Sequence, residues 1–278
     1  MVIAVASGKG GTGKTTVAVN LALALGKCRY LDCDVEEPNG HIFLKPEMKS
    51  SEPVNKLVPK VDESKCNQCH ECSRACAYNA LAVLPDRVLV FPELCHGCGL
   101  CTWLCPQHAI SEQALEIGVV EAGDAGEVEF AHGRLNIGEP MAVPVIRAVK
   151  QHISNGKDVI LDVPPGTSCP VVQSVLGSDF CLLVTEPTPF GLHDLKLAVQ
   201  TVRKLGVKLG VVLNRADIGD EETERYCREE NVPILARIPY DRDVAEAYSR
   251  GIPVIKARPG YLPVFLQLCE SISRAASQ

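Results

Sequence analysis

Two copies of one cysteine pattern lie in the middle of the chain and constrain its fold more than any other feature. Both have the spacing Cys-x2-Cys-x2-Cys-x3-Cys, and the second follows the first at an offset of 29 residues (66 to 95, 76 to 105). Thiolates are soft ligands that suit iron–sulfur clusters, and four of them hold one cubane. A zinc site would instead use two Cys-x2-Cys units with a long spacer. The repeated spacing therefore predicts a region that binds two [4Fe–4S] clusters.

The fourth cysteine of each motif is expected to ligate the other motif's cluster, as in two-cluster ferredoxins. One predicted ligand set is Cys66, Cys69, Cys72 and Cys105. The other is Cys95, Cys98, Cys101 and Cys76. Pro106 follows the second motif, whereas Ala77 follows the first, a departure that does not affect ligation. Tyr78 and Trp103 are expected to pack over the clusters or at a domain junction.

A phosphate-binding loop follows the first apolar run, Val2–Ala6, which is predicted to be a buried strand. The residues expected to contact the nucleotide here are Gly8, Lys9, Gly10, Gly11, Thr12, Gly13, Lys14, Thr15 and Thr16. In the G-x-x-x-x-G-K-[ST] spacing, consecutive backbone N–H groups wrap the phosphates. Lys14 would neutralise the β and γ phosphates, and the Thr15 hydroxyl would ligate Mg²⁺. The motif follows a strand and opens a predicted helix, as this mechanism requires.

The run Lys9-Gly-Gly-Thr-Gly-Lys-Thr15 resembles the deviant Walker A motif of the MinD/ParA/Mrp branch of P-loop ATPases. The resemblance implies that Lys9 reaches the nucleotide of a second subunit, and hence a nucleotide-sandwich dimer. Asp34, in Leu-Asp-Cys-Asp, resembles the switch I residue that positions the attacking water. Asp162, followed by Val-Pro-Pro-Gly166, resembles the Walker B aspartate that holds hydrated Mg²⁺. Lys9, Lys14, Asp34 and Asp162 are thus the expected catalytic residues.

Base recognition is expected at Asn214 and Arg215, because the family places its adenine-contacting Asn at this strand end. The run Asn214-Arg-Ala-Asp217 also resembles the guanine-reading pattern of GTPases. The deviant Walker A favours ATP, and GTP stays open.

Alternating apolar strands and amphipathic helices on both sides of the cysteine region predict a doubly wound, mostly parallel α/β sheet. The expected domains are residues 1–59 and 113–278 for the P-loop ATPase, with an inserted α+β ferredoxin-like domain over 60–112. The alternation around His-Gly in Val128–Ile137 predicts a hairpin, and a helix is predicted from Pro144 to Asn155.

The composition limits which binding partners and which cellular location are expected. The formal net charge is −6 without a long basic run, so a nucleic-acid partner is not expected. No stretch is long and apolar enough to span a bilayer. The predicted final helix, Val264–Ala276, has Arg274 as its one basic residue, which disfavours a membrane anchor. Eight cysteines in cluster spacing beside a nucleotide loop predict a reducing, cytoplasmic location, and the six other cysteines are expected to pack in the interior.

Together these features predict an ATP-hydrolysing dimeric switch, using ATP, Mg²⁺ and two [4Fe–4S] clusters, that gates electron delivery to a partner protein. The resemblance allows a homodimer or a heterodimer with a paralogue, and the partner would be a redox protein or an iron–sulfur or metal-cofactor protein. One alternative is an iron–sulfur or metal-cofactor assembly ATPase. Another is a positioning or cell-division-linked ATPase with structural or sensing clusters.

Overall fold

The computed structural model describes residues 1–154 and 156–277 and contains a nine-stranded sheet in that part of the chain. The sheet order is β11-β10-β9-β1-β8-β2-β7-β6-β3. These strands are β1 Val2–Ala6, β2 Cys28–Asp32, β3 Glu47–Val61, β6 Ile110–Ala125, β7 Val128–Leu135, β8 Asp158–Asp162, β9 Phe180–Thr185, β10 Lys208–Asn214 and β11 Ile234–Ile238. A separate small hairpin pairs β4 Leu81–Val83 with β5 Val88–Val90. The neighbours from β11 to β7 are parallel, whereas β6 and β3 are antiparallel.

Helices cover both faces of the sheet, so the predicted mostly parallel α/β class is confirmed. They are α1 Lys14–Leu25, α2 Gly40–Leu44, α3 Glu71–Ala75, α4 Leu100–Leu104, α5 Ala142–Lys150, α6 Cys169–Val175, α7 Pro189–Lys204, α8 Glu222–Glu229, α9 Arg242–Ser249, α10 Val254–Ala257 and α11 Leu262–Ser277. One apolar core lies under α5, α6 and α7, and a second lies under α1 and α11. None of the helices among the described residues is long and apolar enough to cross a bilayer.

A long antiparallel pair, β3 with β6, leads from the sheet to the cysteine region. Residues 118–125 of β6 pair with β7, so this half of the pair belongs to the sheet. The pairing of β3 with β6 shifts register at Val54, whose partner is Gly118, and Asn55, whose partner is Glu116, so Ile117 has no partner. Ile117 is fully buried in the core. Beyond it, residues 55–61 and 110–116 pair with each other and carry the cysteine region; we call this two-stranded segment the arm.

The predicted hairpin over Val128–Ile137 is wrong, because β7 runs through His132 and Gly133 as one strand. A Cβ at Gly133 would lie 2.6 Å from Val35 Cγ1 and 2.7 Å from Val145 Cγ1. The glycine therefore allows close packing against the strand rather than a turn. The hairpin turn falls at 126–127, between β6 and β7.

The helix predicted from Pro144 to Asn155 is displaced. In the structure α5 begins at Ala142 and ends at Lys150, and Asn155 lies outside the described residues. Pro144 occupies the first turn of α5, where the missing N–H of proline costs no hydrogen bond.

Candidate nucleotide site and cysteine cavities

Two glycines of the phosphate loop are required by close packing. A Cβ at Gly8 would lie 2.4 Å from the Asp194 carbonyl oxygen on α7. Gly13, just before α1, has φ of 90° and would place a Cβ 2.3 Å from Asn214 Nδ2. The Asn214 amide in turn donates to the Thr12 carbonyl oxygen at 2.8 Å. The loop is therefore held between α7 and the end of β10.

The opposite side of the loop is open. A Cβ at Gly10 or Gly11 would meet no atom within 4 Å. Thr12 Oγ1 is buried and has no hydrogen-bond partner among the described residues, so it is an orphaned donor beside this opening. Lys9, partly exposed at the tip, forms no ion pair within the described part of the chain. The loop thus presents backbone and a free cation to a ligand.

Lys14 is the buried positive charge of the site. Its Nζ lies 2.5 Å from Asp162 Oδ1 and 3.7 Å from Asp34 Oδ2. Burial lowers the pKa of Lys14, but the carboxylates of Asp162, Asp32 and Asp34 together outweigh burial, and the net shift is upward. The structure therefore brings Lys14, Asp34 and Asp162 together, and Lys14 is fully charged at neutral pH.

Asp32 is a buried carboxylate in the same cluster. It accepts hydrogen bonds from the backbone amides of Asp34, Asn39 and Gly40 at 3.1, 3.1 and 2.9 Å. Burial raises its pKa to about 7, with the Asp162 charge adding to the effect. Through its three hydrogen bonds, Asp32 holds the backbone from Asp34 to the start of α2 in place.

The two threonines after Lys14 lie in the first turn of α1. Thr15 is buried beside Lys14, and Thr16 lines a cavity of about 210 Å³ at the end of the loop. This base-sized cavity is also lined by Gly13, Asn214, Arg215, Tyr240, Val244 and Phe265, among others. Arg215 is held there by an ion pair to Glu186, with Nη1–Oε1 at 2.7 Å. Asp217 does not line this cavity and accepts a hydrogen bond from the Tyr240 amide at 2.6 Å.

Two further cavities lie in the cysteine region, and each is lined by four cysteines drawn from both motifs. One is lined by Cys66, Cys69, Cys72 and Cys105. The other is lined by Cys76, Cys95, Cys98 and Cys101. No group of three or more His, Cys, Asp or Glu side chains in the described residues is arranged to hold a single metal ion. The cysteines therefore surround a space rather than converge on a point.

The backbone repeats around the two cavities at the same 29-residue offset as the cysteines. The Ala80 amide donates to Cys76 Sγ, and the Ala109 amide donates to Cys105 Sγ, both at 3.3 Å. Left-handed backbone recurs at matching positions, at Gln68 and Gly97, at His70 and Gly99, and at Asn79 and His108. The fourth cysteine of each motif thus accepts an N–H hydrogen bond, as a sulfur that holds negative charge requires.

Two side chains differ from expectation. Trp103 is 80% exposed and is not among the residues that line the two cysteine cavities. Cys169 was expected in the interior and is exposed at the start of α6. Tyr78 agrees with expectation, because it lines the cavity that contains Cys76 and stacks on His96, with ring centroids 3.5 Å apart.

Comparison with known proteins assigns the nucleotide half of this arrangement. A family model described as the CobQ/CobB/MinD/ParA nucleotide binding domain matches residues 3–254. The chain belongs to this family. The fold is similar to that of the septum site-determining protein MinD of Pyrococcus horikoshii, solved in complex with Mg-ADP. The TM-score is 0.61 at 21% identity, and the match covers 99% of this chain and 96% of that chain.

Two relatives extend the comparison beyond the fold. An uncharacterized protein of Methanocaldococcus jannaschii is 30% identical over 262 residues, 92% of each chain. A protein named iron-sulfur cluster carrier protein, of Pyrococcus abyssi, is 28% identical over 278 residues, 91% of this chain and 78% of the relative.

Sequence reasoning missed two buried groups of this CobQ/CobB/MinD/ParA-type site, Asp32 and Tyr30. Asp32 had a signal, the acidic pair Asp-x-Asp at a strand end, but was passed over in favour of Asp34. Tyr30 donates to Asp162 and had no signal, since a tyrosine in an apolar strand reads as a core residue.

Proposed function

We propose that this protein is an ATP-hydrolysing dimeric switch that gates electron delivery from two [4Fe–4S] clusters to a partner protein. One observation carries the proposal: the two four-cysteine cavities are joined by the arm to the sheet that holds the nucleotide site. A conformational change at the nucleotide site can therefore reach the cysteine cavities through covalently linked and hydrogen-bonded strands.

The nucleotide chemistry follows from the charges at the loop. The backbone at Gly10 and Gly11 and the Lys14 ammonium would bind the phosphates, and Thr15 with Asp162 would hold Mg²⁺. The bound cation would neutralise phosphate charge during transfer. Asp34, whose carboxylate lies near Lys14, would orient the attacking water, so catalysis would consist of positioning and electrostatic stabilisation.

ATP is the favoured nucleotide. The base-sized cavity holds Asn214 and Arg215, whereas Asp217, the residue that a guanine-reading motif would use, lies outside the cavity lining and binds the Tyr240 amide. A guanine would therefore lack its carboxylate acceptor.

The cysteine lining of the two cavities supports the binding of one cubane cluster in each. Each offers four thiol ligands, and three of the sulfurs also receive backbone N–H groups, from Ala80, Gly97 and Ala109. Such hydrogen bonds stabilise added negative charge and tune reduction potentials. When bound, the clusters would supply one-electron carriers to the chain.

A hydrogen-bonded path runs from Asp34 to the base of the arm. The Val35 carbonyl, one residue after Asp34, accepts the Leu135 amide at 2.8 Å. The next residue, Asn136, donates its amide to the Ile117 carbonyl at 2.9 Å and its side chain to the Glu116 carbonyl at 3.2 Å. A shift of Asp34 on nucleotide binding would therefore be transmitted through these hydrogen bonds to the point where the arm leaves the sheet.

The experiment is a redox titration of the clusters by EPR in anaerobically purified protein, with and without Mg²⁺ and a non-hydrolysable ATP analogue. A nucleotide-dependent shift of ~30 mV or more, about 0.7 kcal/mol per electron, supports gating. The Lys14→Ala variant is the matched control and should show no shift. Absence of [4Fe–4S] signals in both states would overturn the cluster assignment, and an unshifted potential with ATP bound would overturn gating through the potential.

A second candidate is cluster delivery, favoured by the relative that is named as an iron-sulfur cluster carrier protein. In that case the clusters are cargo and leave the chain. Incubation with an apo-ferredoxin would then transfer iron at a rate that depends on ATP. Retention of all iron after many ATP turnovers would support the electron-transfer function instead.

A further inference from the structure

Tyr30 lies beneath the nucleotide site and holds the carboxylate of Asp162. Its hydroxyl donates to Asp162 Oδ2 at 2.7 Å, while Lys14 occupies the other oxygen at 2.5 Å. Both Tyr30 and Asp162 are fully buried. The two oxygens of Asp162 therefore have different partners, Lys14 on one and Tyr30 on the other. Of these, the buried Tyr30 side chain cannot reach a nucleotide.

The ring of Tyr30 packs against two neighbours. It stacks on Phe130 of β7, with centroids 5.8 Å apart and an interplanar angle of 8°. Gly40, the first residue of α2, also lies close to the ring, since a Cβ there would be only 2.5 Å from Tyr30 Cε1. These contacts hold the ring in the position from which its hydroxyl donates to Asp162.

The Tyr30 hydroxyl is a hydrogen-bond donor to a fully buried carboxylate. A hydrogen bond of a neutral donor to a buried carboxylate is strong and directional. Outer partners of this kind fix the orientation of a metal ligand, and their loss weakens metal affinity roughly 10- to 100-fold.

We infer that Tyr30 is a positioning residue that orients Asp162 toward the divalent cation of the bound nucleotide. This inference rests on the proposed function, in which Asp162 helps to hold Mg²⁺. Through Gly40, which packs on the ring and donates its amide to Asp32, Tyr30 also ties the orientation of Asp162 to the segment that follows Asp34. Cation binding and the position of that segment are thereby linked.

The test is the Tyr30→Phe variant, which keeps the ring and removes the hydroxyl. Mn²⁺, a paramagnetic substitute for Mg²⁺, is titrated by EPR at saturating ADP, and ADP affinity is measured separately in EDTA. We expect Mn²⁺ affinity to fall roughly 10-fold or more with unchanged metal-free ADP affinity. Tyr226→Phe, which removes a hydroxyl on α8 remote from the loop, is the matched control and should bind Mn²⁺ as the parent chain does.

Two further variants separate positioning from general damage. In an Asp162→Asn background, Tyr30→Phe should change Mn²⁺ affinity little, because the group that it orients is already altered. Gly40→Ala, which displaces the ring but keeps the hydroxyl, should weaken Mn²⁺ binding in the same direction. Equal Mn²⁺ affinity in Tyr30→Phe and the parent chain would overturn the inference. If the parent chain itself binds no Mn²⁺ with ADP, the proposed function fails and not the role of Tyr30 alone.

Discussion

Lys56 and Glu139 form a buried ion pair, with Nζ and Oε1 2.8 Å apart and side-chain exposures of 3% and 10%. Lys56 belongs to the arm, and Glu139 belongs to the loop that joins β7 to α5. Glu139 also accepts the Met141 amide at 3.2 Å. The pair therefore fastens the arm to the nucleotide-binding body at the point where the arm leaves the sheet.

Removing one partner of this pair should destabilise the protein. Lys56→Met keeps the length of the side chain but leaves Glu139 as an uncompensated, mostly buried charge, which costs about 3 kcal/mol. Urea unfolding followed by circular dichroism measures the loss. Lys49→Met is the matched control on the same strand, because the pair of Lys49 with Asp124 is solvent-exposed, and its unfolding midpoint should hardly move. A Lys56→Met midpoint equal to that of Lys49→Met would show that the fastening contributes nothing.

Double cysteine variants decide how the clusters are ligated. Cys76 belongs to the first motif but lines the cavity of the second, together with Cys95. Cys76→Ser with Cys95→Ser should therefore disable one site and leave about four of eight irons, whereas Cys76→Ser with Cys66→Ser should disable both. Iron analysis and EPR after anaerobic reconstitution measure this.

The alternative is that each cysteine motif ligates its own cluster, and it predicts the opposite iron contents. If each motif held its own cluster, the Cys76/Cys66 double variant would keep one cluster and the Cys76/Cys95 variant would keep none. Cys169→Ser, at an exposed cysteine outside both cavities, is the control that should retain the full iron content.

Local patterns predict part of the nucleotide-binding half of the fold. The apolar run Val2–Ala6 coincides with β1, because buried parallel strands are continuously apolar. The two ligand sets expected from the two-cluster ferredoxin pattern each line one cavity, and cluster binding by them stays a prediction.

The arm could not be predicted in the same way. β3 carries exposed, charged residues along most of its length, so it shows neither an apolar run nor a clean alternation. Its pairing with β6 is a tertiary property of two segments that lie on either side of the cysteine region. The position of Tyr30 is likewise set by the sheet, which places its hydroxyl against Asp162.

The expected contact of Lys9 with a second subunit can be tested by measuring dimerisation. If Lys9 contacts the nucleotide of a second subunit, Lys9→Ala should remain monomeric with Mg·ATP while an otherwise identical Lys27→Ala chain dimerises. Asp34→Ala is used as the background for both, because slower hydrolysis would keep ATP bound. Light scattering after size-exclusion chromatography measures the mass. Equal dimerisation of both variants would remove Lys9 from the interface, and a monomeric background would point to a paralogue as the partner.

The acidic cluster predicts that the protein becomes less stable as pH rises through the weakly acidic range. Burial raises the pKa of Asp34 from 3.8 to about 6, partly offset by Lys14. The folded chain therefore keeps a proton that the unfolded chain releases near 3.8, so this stabilisation is complete below that pH and is lost as pH rises toward 6. The contribution is up to roughly 3 kcal/mol for a shift of about two units. Asp34→Asn cannot titrate, so its urea-unfolding free energy should fall less steeply between about pH 4 and pH 6, while the raised pKa of Asp32 keeps part of the slope. Parallel curves for the variant and the parent chain would mean that Asp34 is ionised in the folded protein throughout, with Lys14 rather than burial setting its charge.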